Sequence, residues 1–268
     1  MAWSRAIAWL GIALWLCAVP GGAVADPALP TLVALSEAGA LLVFEADHPE
    51  AAKAIQVHEL GGALVGIDLR PADQRIYGLS TTNEIYRVDP SNGEVELVSS
   101  LTVPFDGGAR SGVDFNPQSD RLRLVGAEGQ NLRVNVEIGA TAVDRSATYA
   151  AGDANAGRRP GIAASAYTNS RAGAATTKLF NIDAVRGVLV LQDPPNDGTQ
   201  VTVGPLGAPF GALAGFEIVT DSSGQDRGYA AAGRVLYAID LATGAATALG
   251  PIGGAGSEII SLTSAGTR

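Results

Sequence analysis

Apolar and polar residues alternate in short runs along most of the chain, and Gly, Pro, Asn or Asp breaks the runs about every ten residues. Alternation of this kind places successive side chains on opposite faces of an extended strand. Charged residues do not recur at helical spacing, so little of the chain reads as helix. One strand pattern repeats. LVGIDLRP at 64–71 and RSGVDFNP at 110–117 are its clearest copies, and IAASAYTN at 162–169, LAGFEIVT at 213–220 and EIISLT at 258–263 are weaker ones. Aligning Gly66, Gly112, Ala164, Gly215 and Ile259 gives spacings of 46, 52, 51 and 44 residues.

Each of the first four copies is followed by three more strand-like runs. After residue 71 they are 75–79, 84–88 and 94–98, with PSNG at 90–93 as a turn. After residue 220 they are 228–231, 235–239 and 245–249, with ATG at 242–244 as the turn. Four short strands per unit of this length predict the blade of a β-propeller. The termini fit the same scheme. Residues 32–60 hold three strands (32–35, 41–46 and 54–60) without a first one, and 258–263 is a first strand without followers. Together they make one more blade. The expected fold is therefore all-β, a five-bladed β-propeller with one blade completed by the C-terminal strand. A β-sandwich also uses regular short strands, but it does not predict end fragments that sum to one repeat.

Residues 1–25 are set apart. Arg5, the apolar stretch 6–19 and Ala-Val-Ala at 23–25 read as a cleaved signal peptide. The stretch is too short to span a bilayer, and no later segment is long and apolar enough. Leu16 before Cys17 does not suit a lipoprotein site, and one Arg does not suit the twin-Arg route. The domain plan is thus signal at 1–25, a short lead at 26–31 and a single propeller domain at 32–268, in a soluble protein exported to a periplasm or beyond the cell. Cleavage removes Trp3, Trp9, Trp15 and Cys17, which are all the Trp and Cys of the chain. Disulfides, thiolate catalysis and Cys-ligated metals are then excluded.

The chain has 268 residues, 47% hydrophobic and 17% charged, too apolar for disorder and long enough for a sizeable core. Eighteen basic residues against 27 acidic ones give a net charge of −9, which excludes nucleic acid as a partner. Two histidines, His48 and His58, are too few for a His cluster, and no G-x-S-x-G elbow, P-loop or dinucleotide fingerprint is present. No cofactor is expected.

Asp68, Asp114 and Glu217 occupy one repeat position, on the strand that lines a propeller's channel. Three carboxylates meeting there could divide acid, base and stabilising roles. Equally, each could cap a turn or pair with Arg within its own blade. In the unit 110–149, Asp114, Asn116, Arg121, Arg123, Asn131, Arg133 and Asn135 all alternate with apolar residues. This gives the blade one polar face, either a satisfied network between blades or an anion site built from Arg forks. Arg121, Arg123 and Arg133 are expected on one side, within reach of Asp114 and of Asn131 or Asn135. Asp153 and Asn155 begin like a calcium loop, D-x-N-x-G, but the later ligands are missing, so they are weak metal candidates and no metal site is expected.

GVDFNP at 112–117, DRLRLV at 120–125, GQNLRVN at 129–135, AYTNS at 166–170 and QDPPNDG at 192–198 together resemble the bacterial "domain of unknown function 4394" family. The resemblance runs from about residue 32 to the end. It implies a secreted, propeller-like protein and supplies no catalytic residues. The expected function is a non-enzymatic binding or interaction module, a monomer with an unknown ligand or protein partner. The alternative is a hydrolase of carbohydrate or lactone type using the three carboxylates. A purely structural envelope protein, without any deep pocket, is a third reading.

Overall fold

The computed structural model describes Met1 and residues 29–58, 60–108 and 111–266. Apart from Met1, the expected signal and residues 26–28 of the lead lie outside the described residues.

Blade 1 opens with β1 (Thr31–Ser36), β2 (Ala40–Glu45) and β3 (Lys53–Gln56). Blade 2 holds β4 (Leu64–Arg70), β5 (Arg75–Ser80), β6 (Glu84–Val88) and β7 (Val95–Ser100). Blade 3 holds β8 (Ser111–Asn116), β9 (Arg121–Gly126), β10 (Asn131–Asn135) and β11 (Ala140–Val143). After a two-residue strand β12 (Thr148–Tyr149), blade 4 holds β13 (Ile162–Tyr167), β14 (Leu179–Asp183), β15 (Val188–Gln192) and β16 (Thr199–Pro205). Blade 5 holds β17 (Ala214–Thr220), β18 (Asp226–Ala232), β19 (Val235–Ile239) and β20 (Ala246–Pro251). The last strand, β21 (Ile259–Ser264), returns to blade 1 and pairs antiparallel with β1, Val33 facing Thr263. The chain is a five-bladed β-propeller closed by its own C-terminal strand, with neighbouring inner strands touching in the order β4, β8, β13, β17, β21 and back to β4.

Two details go beyond the repeat scheme. β3 ends at Gln56 rather than near residue 60, because beyond it the chain leaves β2 and His58 N–H donates to Gly93 O in blade 2. β12 adds a fifth strand to blade 4 by pairing parallel with β16, covering an outer edge that would otherwise present unpaired backbone groups.

Alternation explains why both faces of most blades are apolar. On β1, Leu32 and Ala34 pack toward blade 5 with Tyr229 and Leu236, while Val33 and Leu35 pack toward blade 2 with Leu64 and Ile67. Apolar wedges of this kind fill four of the seams generously. The seam between blades 3 and 4 has the smallest one, built from Val125, Ala147, Tyr149, Ile162 and Val190. Glycine sets the inner ring's radius. A Cβ on Gly215 of β17 would lie 2.5 Å from the backbone carbon of Ser261 in β21, a contact that neither strand can relieve.

Closure makes the C-terminal strand a structural necessity. A chain ending at residue 256 loses β21, leaves the edge of β1 unpaired and opens the ring. Its urea and thermal unfolding should lose cooperativity, or the protein should aggregate, when compared with the full chain by circular dichroism.

Candidate functional site

Inner strands of adjacent blades are not joined by a backbone ladder, so their N–H groups need acceptors from side chains. Asp68 on β4 supplies one: its Oδ2 accepts from Phe115 N in β8 at 2.6 Å, and its Oδ1 accepts from Thr263 Oγ1 in β21 at 2.8 Å. Asp114 on β8 does the same one seam along, with Oδ1 accepting from Tyr167 N in β13 at 3.0 Å. Thr263 in turn accepts from Leu69 N at 2.9 Å. The repeat position that carries these carboxylates thus faces the next inner strand.

Glu217 on β17 reaches the same place from blade 5. One carboxylate oxygen from each of Asp68, Asp114 and Glu217 lies within 4.8 Å of the others. The three residues are 4%, 5% and 4% exposed. They border a cavity of about 20 Å³ that Phe115, Tyr167, Ser170 and Ser264 also line. Among the described residues no Arg or Lys pairs with any of the three. Glu217 lies beside Asp68, Thr263 and the backbone of Ser264, yet its Oε2 is buried with no hydrogen-bond partner among the described residues.

Burial pushes Asp68 up to about 7, against the bonds from Phe115 and Thr263 that favour its charge. Burial, and then the charges of its two neighbours, hold Asp114 well above the usual carboxylate range. Glu217 is raised by burial and by Asp68. The arrangement can hold protons at neutral pH, as an acid catalyst would, or it can gather around a positive charge.

The polar face of blade 3 is a different construction. Arg123 is 1% exposed, and its guanidinium donates to Asp144 Oδ2 at 2.6 Å, Asn131 Oδ1 at 2.8 Å, Asn196 Oδ1 at 2.6 Å and the Tyr167 hydroxyl at 3.2 Å. Arg133 forks onto the same carboxylate, through Nε to Oδ2 at 2.7 Å and Nη2 to Oδ1 at 2.9 Å. Burial alone would raise Asp144, but Arg133 and Arg123 outweigh it and hold its carboxyl below the usual range. The expected acid partner, Asp114, is thereby corrected to Asp144. Although Asp114 faces Arg123 across the strand pair, its carboxylate turns to the seam with β13. Arg121 does not join: at the start of β9 it donates to the carbonyls of Ser119 and Asp120. Asn116 and Asn135 accept from backbone N–H groups two or three residues on, closing turns. Asn131 also donates to the carbonyls of Arg145 and Pro195, so the network fixes blade 3 to the 195–197 turn of blade 4.

Asp153 and Asn155 tie a loop to β16. The carboxylate of Asp153 accepts from Asn155 N, Thr202 N and Thr202 Oγ1, and Asn155 Nδ2 donates to Thr202 Oγ1. Sequence reading also missed Arg70, whose fork holds both oxygens of Asp120 across the seam between blades 2 and 3, at 2.8 and 2.6 Å. It missed a fully buried amide cluster in blade 4, Asn181, Gln192 and Gln200, with Ser165 donating to Asn181. Polar residues within the alternating strands 179–183 and 188–192 were the available signal. A groove of about 640 Å³ also lies at blades 4 and 5, with Phe180, Leu191 and Leu241 as apolar lining and Lys178, Asp193 and Thr176 among its polar groups.

The sequence model of a family described as Domain of unknown function (DUF4394) matches residues 40–263. No curated protein matches the sequence. Among solved structures, a structural-genomics protein of unknown function from Bacteroides thetaiotaomicron VPI-5482 is similar at 16% identity and a TM-score of 0.51, over 84% of this chain and 58% of that one. An auxiliary nutrient binding protein from Bacteroides ovatus ATCC 8483 is 14% identical with a TM-score of 0.45, over 74% and 55%. Virginiamycin B lyase from Staphylococcus aureus is 11% identical with a TM-score of 0.42, over 82% and 69%. The chain spans little more than half the length of the first of these.

Two outcomes follow from the geometry. Arg123→Ala leaves Asn131, Asn196 and Tyr167 without their buried donor and should cost on the order of 3 kcal/mol in chemical denaturation, and Arg123→Lys, lacking the fork, should not restore it. The second concerns pH. The folded protein keeps protons on the raised carboxyls that the unfolded chain releases, so their contribution is complete below about pH 4 and is lost as pH rises toward and through about 7. In chelator-treated buffer, stability should fall across that window. In Asp114→Asn the fall should be shallower, because the amide oxygen can still accept from Tyr167 while one repelling charge is gone.

Proposed function

The chain belongs to the DUF4394 family, and we propose that it is an exported binding module that takes a small charged molecule in the groove at blades 4 and 5. One observation carries this reading: the space for a ligand and the carboxylates suited to catalysis are in different places. The cavity beside Asp68, Asp114 and Glu217, at about 20 Å³, holds one water-sized body and admits no sugar or lactone ring. The groove, at about 640 Å³, is of the size that small-molecule sites have.

The chemistry of the groove supports one ligand class. Lys178 and Asp193 are exposed within it, and neither is held in an ion pair among the described residues. Phe180 is buried beneath, with Leu191 and Leu241 half-buried. An ammonium, a carboxylate and an apolar lining together complement a zwitterion with an apolar body, of the size of an amino acid or short peptide. Such a groove also speaks against a purely structural envelope role.

The raised carboxyl of Asp68, poised near neutral pH, is the observation favouring a hydrolase. A thermal-shift and calorimetric series with amino acids, short peptides, sugars and small acids separates the readings. Binding of a zwitterion that is weakened about tenfold or more in Lys178→Ala, where one charge-assisted contact is lost, is the expected result. Hydrolysis of a glycoside or lactone that disappears in Asp68→Asn would replace binding with catalysis.

A further inference from the structure

We propose that Asp68, Asp114 and Glu217 form a site for one hard divalent cation, calcium by size, where the inner strands of blades 2, 3 and 5 converge. The site is separate from the groove, and the proposal stands or falls independently of the ligand assigned there.

The donor set comes first. Three carboxylate oxygens from three different blades gather within 4.8 Å, with no nitrogen or sulfur donor among them. All-oxygen ligation selects hard cations over zinc or copper. Tyr167, Ser170 and Ser264 also line the cavity, but the Tyr167 hydroxyl meets Arg123 and the Ser170 hydroxyl meets Thr220, so the carboxylates, which can bind calcium through one oxygen or two, are the ligands proposed.

The second observation is independent of the clustering. Glu217 Oε2 is buried, and among the described residues nothing donates a hydrogen bond to it. A carboxylate oxygen removed from water without a partner costs the full desolvation penalty of that atom. Elsewhere acids find their partners: buried Asp144 receives two arginines, half-buried Asp120 receives the fork of Arg70, and fully buried Asp183 accepts from the Tyr149 hydroxyl and Arg186 N. Among the described residues Phe115 N and Thr263 Oγ1 donate to Asp68 and Tyr167 N donates to Asp114, while Thr263 and the Ser264 backbone beside Glu217 leave its Oε2 without a donor. Glu217 is left aimed at a space that it lines and that holds one water-sized body.

The size of that space distinguishes the cations. Magnesium keeps several waters of its shell, for which the cavity has no room, whereas calcium accepts a flexible cage made of protein oxygens. The seam bonds that fix Asp68 and Asp114 also pre-position two ligands, so an ion here would cross-link blade 5 to blades 2 and 3.

The test uses the whole protein stripped with chelator and then given calcium, magnesium or terbium alone. Calcium at millimolar concentration should raise the melting temperature by roughly 5 °C, and magnesium should do clearly less. Terbium should luminesce on excitation of tyrosine, since Tyr167 lines the cavity, and calcium should displace it. Glu217→Gln should bind about 10- to 100-fold more weakly, while melting in chelator at or above the wild-type temperature. Asp114→Asn, which keeps an acceptor for Tyr167 N, makes the same comparison should Glu217→Gln fold poorly. No response of the wild type to any of the ions overturns the proposal, as does an unchanged response in both variants.

Discussion

The inner ring of this propeller depends on one constraint: five central strands each end a sheet, and none can extend its ladder to the next blade. Their outward-facing N–H groups must find acceptors inside the molecule. Leu69, Phe115 and Tyr167 find them in Thr263, Asp68 and Asp114, side chains projecting from the strand next door. Ser261 closes the seam between β21 and β4 in both directions, accepting from Ile67 N and donating to Ile67 O. The ring is therefore stitched by side chains at its centre, and the acidic cluster is a product of that stitching.

The seams away from the centre are filled in two ways. Where both facing strands carry Leu, Ile, Val or Ala, apolar wedges join the blades, as Phe180 and Ile182 do with Phe216 and Ile218 between blades 4 and 5. Between blades 3 and 4 the apolar wedge is small, and Arg123 takes its place, reaching Tyr167 and Asn196 of the neighbouring blade. Such a network is geometrically demanding, because every buried donor needs its acceptor. It fixes the two blades in one orientation more strictly than interchangeable methyl groups would.

Stitching and charge pull against each other at the centre. A carboxylate is a strong acceptor for a seam N–H, but three of them in one buried place repel one another. Asp68 and Asp114 are both stitches and members of the cluster, whereas Glu217 makes no seam bond through its Oε2. An alanine or serine stands at the matching position in the other two blades, Ala166 and Ser261, so the ring can close without a third acid.

The blade repeat, the strand runs and the split first blade were legible in the sequence because alternation and turn residues are local properties. So was the equivalence of Asp68, Asp114 and Glu217, which follows from their shared repeat position. Partner choice was not legible. Asp114 and Arg123 sit opposite each other on paired strands, yet Asp114 bonds to the backbone of β13 and Arg123 bonds to Asp144. Asp144 lies beyond the end of β11 and carries no alternating signal, and Asn196 belongs to a turn more than seventy residues from Arg123. Strand parity decides which face a side chain leaves from. Which neighbour it meets is set by how blades pack around the ring, and that is a property of the closed tertiary structure alone.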